Sequence, residues 1–205
     1  MPRLALNKAS LTRESKRLRT FERFLPSLDL KRRQLVAERR QAARLLVSTR
    51  QQIENLEKKV ADELPMLANH SKLRHLVRIA GIELNEQNLL GVRLPRLSRV
   101  VLETHDYPLL ASAQWIDRLS KHLSLGLELH VRLQVETERT ARLEQAVRKV
   151  TQRVNLFEKV LIPRTRANIK QISIYLSDAE RAAVVRAKIA RSKALRERSL
   201  EHRHA

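Results

Sequence analysis

The sequence predicts an all-α protein: a long antiparallel two-helix coiled coil of N- and C-terminal arms, with a small central head containing a short β-hairpin. Three observations predict it. Glycine occurs only at Gly81, Gly91 and Gly126, so the chain beyond Gly126 has none. Apolar residues recur at steps of three and four on both flanks of that middle region, the pattern of a helix seam. The composition, 42% hydrophobic and 31% charged with only 3% aromatic residues, suits long amphipathic helices better than a compact aromatic core or a disordered chain.

Taken in order, residues 1–64 form the first arm. Its seam runs through Leu18, Phe21, Leu25, Leu28, Arg32, Leu35, Arg39, Ala42, Leu46, Thr49, Ile53, Leu56 and Val60. Arg32 and Arg39 are poor core residues; either they extend their charges outward along the helix or that face meets something other than the partner arm. Residues 112–205 form the returning arm, with Leu129, Leu133, Glu136, Thr140, Leu143, Val147, Val150, Val154, Phe157 and Leu161 in its stripe. Neither stripe can be buried by its own helix, so each needs the other. Arms of about 55 and 85 residues would span roughly 80 and 130 Å at ~1.5 Å per residue.

Breakers are few in the arms. Pro26 and Pro163 each remove a backbone donor and either bend or end their helix; the apolar period resumes after both, which favours a bend. Around Pro163 the seam takes two consecutive steps of four (Phe157, Leu161, Thr165), a phase insertion that locally unwinds a left-handed supercoil. Beyond it the seam turns alanine-rich (Ala179, Ala183, Ala187, Ala190, Ala194), which permits a thin, closely approached tip.

Residues 65–111 form the head. Leu64-Pro65 closes the first helix, and β-branched, alternating residues around Pro95 predict a hairpin at about 89–103, with Leu89–Leu94 pairing Ser98–Glu103. Tyr107-Pro108 makes a turn and helix resumes near Ala111. Trp115 reads as head-core packing.

Charge follows the same division. Residues 1–60 carry 16 Lys and Arg against 6 Asp and Glu, residues 61–128 carry 8 against 8, and residues 129–205 carry 18 against 8. Two basic arms flank a neutral centre and give the net charge of +20. There is no Cys, hence no disulfide or thiolate site, which fits a reducing cytoplasm. The longest stretch free of charged residues, Tyr107–Ile116, is too short to cross a bilayer, which takes about 20 apolar residues. The basic N-terminus lacks the apolar run of a secretory signal.

Catalytic patterns do not converge. Isolated glycines make no phosphate-cradling loop. His70 and His75 are five apart, off the spacing that places two imidazoles on one helix face, and His202 and His204 sit near the end of the chain. Glu54 and Glu57 could resemble an acid/base pair, but Lys58 and Lys59 adjoin them and favour a solvated face. No cofactor or metal site is expected. A nucleic-acid-binding coiled coil would share the pI of about 11.4, although the basic runs are short and the aromatics are not interleaved with them as stacking platforms. A basic rod also suits the inside of a ring whose inner surface is acidic; a docking stalk of an export ATPase shares the rod-in-hexamer geometry but gives no reason for a neutral head with a hairpin.

Residues 153–163 narrow the choice. Arg153-Val154-Asn155, Glu158, Val160 and Ile162-Pro163, followed by Ile169, Ile172, Leu176 and Glu180-Arg181, resemble the C-terminal signature of the D subunit of V-type (vacuolar and archaeal-type) ATPases, the central rotor stalk. Leu11, Leu18, Leu25, Leu28 and Lys31-Arg32-x-x-Leu35 are similar to the N-terminal helix of that family, and Gly91-Val92 through Pro95 sits where the family has its head hairpin. The likeness spans nearly the whole chain. Departures at Phe24, Arg33 and Ala182-Ala183-Val184-Val185 point to a divergent, bacterial branch.

The resemblance implies a non-catalytic rotor shaft. Its arms would enter the catalytic hexamer of A and B subunits, and its lower part would join the F subunit and the funnel-like C/d subunit that leads to the membrane ion ring. It would lie in the cytoplasm, peripheral to the membrane, and transmit torque between ATP hydrolysis or synthesis and the movement of protons or sodium ions. On that reading Arg13, Lys16, Arg164, Arg166 and Lys170 are the expected stator contacts.

Overall fold

The computed structural model describes residues 4–65, 76–104 and 115–204, with side chains described through Leu195. The elements are α1 (Lys8–Glu63), β1 (Val77–Leu89), β2 (Val92–Thr104), α2 (Trp115–Leu156), a π turn (Phe157–Leu161) and α3 (Ile162–His204). They fall into a terminal unit, Met1–Asp29 with Gln152–Ala205, and a central unit, Leu30–Thr151. The two basic helical flanks and the central two-stranded hairpin are as the sequence predicts. The Tyr107-Pro108 turn, helix onset at Ala111 and the pair His70 and His75 lie outside the described residues.

Helix α1 starts where Asn7 can cap it: its Oδ1 accepts the Ser10 N–H at 2.7 Å, satisfying one of the donors a helix start leaves unpaired. The helix closes with the Leu64 N–H on the Val60 carbonyl at 3.0 Å, and Pro65 has no N–H with which to continue.

In the central unit the seam is deep. Leu35 and Leu143 are fully buried, joined by Ala42, Thr49 and Ile53 on α1 and by Leu129 and Val150 on α2. Burying a leucine completely contributes about 1.5–3 kcal/mol. The helices run antiparallel here: Leu56 Cδ2 lies 3.6 Å from where Gly126 would carry a Cβ, and Glu63 meets His122 at 3.1 Å.

The hairpin adds a third layer to this unit and corrects the expected register. Its turn is Leu90-Gly91, not the region of Pro95; Ser98–Glu103 lies on β2, whereas Leu89–Leu94 spans the end of β1, the turn and the start of β2, and each strand has 13 residues. Leu90 (φ 53°) and Gly91 (φ 81°) are both left-handed, as a two-residue hairpin turn of this hand requires. Asn88 Oδ1 takes the Gly91 N–H at 3.0 Å and steadies the turn.

Register also explains Pro95. Leu89 and Val92 close the turn as a hydrogen-bonded pair, and such pairs alternate along an antiparallel ladder. Glu86 opposite Pro95 therefore falls at a non-hydrogen-bonded pair, where a missing N–H costs the ladder nothing. The carbonyls of Arg93 and Pro95 then point to the outer edge of β2. Guanidinium groups of α2 occupy that edge: Arg142 Nη1 donates to Arg93 O at 3.2 Å, and Arg139 donates to Pro95 O at 3.4 Å and to Gln87 Oε1 at 3.1 Å. Leu94, between them in sequence, is fully buried.

The terminal unit pairs the start of α1 with α3, again antiparallel. Phe21 meets Phe157 edge to face at 5.4 Å, Glu22 pairs with Arg166 at 2.7 Å, and Lys8 reaches Glu180 at 3.6 Å. Val154, Ile162 and Ile172 are buried. Past Glu180 every residue to Leu195 is exposed, including Ala183, Ala187, Ala190 and Ala194. The alanine-rich seam is thus open instead of closely approached, because α1 begins only at Lys8, beside Glu180.

Neither proline ends its helix. Before Pro163 the backbone takes one π turn, in which the Ile162 N–H reaches back five residues to Phe157 O. The wider turn accommodates a ring that would otherwise clash with the preceding turn. It also gives the local cause of the two steps of four in the seam. At Pro26 the helix continues without such a turn, and Ser27 Oγ donates to Phe24 O at 2.8 Å.

Candidate interaction surface

The structure carries this chain's chemistry on charged surfaces. Arg13 and Arg164 line one cleft of about 320 Å³ in the terminal unit, together with Glu14, Arg17, Phe21 and Asn168. Glu14 is buried at its floor; Oε1 accepts from Arg17 at 2.8 Å and Oε2 from Asn168 at 3.3 Å, so the carboxylate holds α1 to α3 instead of facing solvent. Of the other expected contact residues, Arg166 is engaged with Glu22, and Lys16 and Lys170 are exposed outside the cleft.

The signature residues divide by role. Val154 and Ile162 are buried and Asn155 is half-buried, while Arg153, Glu158 and Pro163 are exposed around the π turn. Their spacing encodes backbone geometry: apolar anchors on each side of a widened turn, followed by the proline it accommodates. Lys31 and Arg32 are half-buried on α1 in the central unit. Lys31 extends beneath the hairpin turn, its Nζ 3.8 Å from where a side chain on Gly91 would begin. That meeting of α1 with the hairpin was invisible in sequence, since it depends on the turn lying at Leu90-Gly91.

The carboxylate pair suspected as acid and base has an ordinary explanation. Glu54 bonds Lys58 at 2.8 Å one helical turn away, and this bond holds the Glu54 carboxyl below and the Lys58 ammonium above their usual ranges. Among the described residues no group of three or more metal-ligating side chains forms, and no helix is long and apolar enough to cross a membrane.

Residues 10–192 match the family model that describes the D subunit of ATP synthase. The chain belongs to that family. The V-type ATP synthase D subunit of Borreliella burgdorferi is 31% identical over 193 residues, covering 92% of this chain and 93% of its own. Its counterpart in Chlamydia trachomatis serovar L2 is 33% identical over 178 residues, covering 85% and 88%. That of Chlamydia felis is 32% identical, covering 85% and 86%. The region that matches the D-subunit family takes in nearly all of α1, the hairpin, α2 and most of α3.

Proposed function

We propose that this chain is the central rotor shaft of a V-type ATPase or ATP synthase, transmitting torque between nucleotide chemistry in an A/B catalytic head and ion translocation across the membrane. The observation that carries the reading is the antiparallel pairing of the two flanks around buried seams, seen separately in the terminal and central units of a D-subunit family member. A shaft needs that construction. Covalent continuity through each helix carries load, while cross-helix contacts such as Phe21 with Phe157 resist slippage of one helix along the other.

On this reading the chain is a non-catalytic subunit. Its partners are the A and B subunits, the F subunit and the funnel-like C/d subunit, and it works on the cytoplasmic side, peripheral to the membrane. Exposed Arg13, Lys16, Arg164, Arg166 and Lys170 bear on the stator through solvent-screened contacts of about 0–1 kcal/mol each. Contacts that weak let the shaft leave one angular position for the next without a large barrier. The domain division follows: arms at 1–64 and 112–205, and a head at 65–111 that couples to neighbouring subunits.

Affinity purification of the tagged chain from its native cells tests the proposal. Recovery of A and B subunits that survives high-salt washing is the expected result. Recovery of nucleic acid that washes off steeply with salt instead would replace the rotor with a nucleic-acid-binding coiled coil.

A further inference from the structure

The turn of the hairpin stands among cations drawn from three elements of the central unit. Lys31 comes from α1, with its Nζ close beneath Gly91. Arg93 comes from β2, and Lys149 from α2; both line a cleft of about 400 Å³ with Gly91, Val92, Arg142 and Gln145. Arg142 is already committed, to Glu138 on its own helix and to the Arg93 carbonyl. The neighbouring Arg148 is paired with Glu144 at 3.5 Å. By contrast, no ion pair among the described residues holds the side chains of Lys31, Arg93 or Lys149.

Bringing three uncompensated cations together by folding is unfavourable, and an anion in the cleft would relieve it. We infer that this cleft is a docking site for an acidic polypeptide segment, whose carboxylates pair with Lys31, Arg93 and Lys149. Two features favour a polypeptide over a small phosphate. The Gly91 N–H, the turn donor that could otherwise contribute to a phosphate cradle, is spent on Asn88 Oδ1. The cations also come from three separate elements, and a segment that carries several carboxylates can pair with each of them. The hairpin is the part that makes the site, because Arg139 and Arg142 fix its β2 edge to α2 and so hold Arg93 beside Lys149.

The test uses the full chain and a fluorescent glutamate-rich peptide, followed by anisotropy at fixed moderate salt. The triple variant Lys31→Gln, Arg93→Gln and Lys149→Gln is compared with a control that removes equal charge elsewhere, Arg44→Gln, Arg50→Gln and Lys59→Gln. Circular dichroism confirms helix content in each. Loss of three screened ion pairs predicts roughly tenfold weaker binding for the first variant and less than about twofold for the control. Equal weakening in both would reduce the effect to general attraction by a basic protein and overturn the site. So would absence of binding to the unaltered chain, or displacement of the peptide by tripolyphosphate at concentrations below those needed with unlabelled peptide. Because the assay needs no other component of the ATPase, its outcome is independent of the rotor proposal.

Discussion

The two units use the same helix pairing to different ends. In the central unit the fully buried side chains are Leu35, Leu94 and Leu143, supplied by α1, the hairpin and α2. In the terminal unit Val154 and Ile172 are fully buried, polar Ser10, Glu14 and Thr165 are buried as well, and Phe24, Val160, Ile174 and Tyr175 are each about half exposed. A pair of helices can bury only the stripe along which they meet. The central unit has a third layer and the terminal unit has none among the described residues. The difference teaches what a third element changes: the fully buried leucines of the central unit come from three elements, whereas the terminal unit seals Val154 and Ile172 with helices alone.

The most severe challenge to this contrast is core truncation. Leu143→Ala should destabilise the protein by about 3 kcal/mol, the usual cost of a cavity at a fully buried leucine, and Leu25→Ala, at a half-buried position in the terminal unit, by about half as much. Urea unfolding of the two variants decides it; equal losses would erase the distinction.

A smaller effect tests the third layer. Leu90 holds a left-handed backbone that costs a leucine about 1–2 kcal/mol. Leu90→Asn gives the favoured Asn-Gly turn and should stabilise the hairpin by about 1 kcal/mol. Slower hydrogen exchange along Leu89–Leu94 would show the gain, and faster exchange would contradict the turn geometry.

Surface charge should contribute least. The Glu54 pKa is lowered, so its contribution is present above 4.5 and fades as pH falls through the folded value; the Lys58 pKa is raised, so its contribution is present below 10.5 and fades as pH rises through the folded value. Comparing Glu54→Gln with the parent at pH 3, 7 and 11 should show the largest difference at pH 7, shrinking toward both extremes and abolished by high salt. A difference that survives salt would mean that the exposed pair contributes beyond screened charge.

What the sequence disclosed follows from periodicity. Leu35, Ala42, Thr49 and Ile53, with Leu129, Leu143, Val150 and Val154, could be named as seam positions because burial repeats along a helix at a fixed interval. The hairpin was legible as an element but not in register. Leu90 is an unusual residue for a left-handed turn, and Pro95 looked like punctuation until the ladder placed it where its missing N–H does no harm. The break in period near Pro163 was visible, whereas the π turn behind it was not, since one wide turn and a supercoil stutter leave the same spacing in sequence. The cluster at Gly91 was beyond reach because Lys31, Arg93 and Lys149 are joined only by tertiary structure.

The central claim concerns motion, and a bead attached to this chain in a reconstituted complex, with the catalytic head fixed to glass, addresses it directly. A rotor shaft predicts that adding ATP turns the bead stepwise in one direction. A bead that stays in place while ATP is hydrolysed would contradict the account.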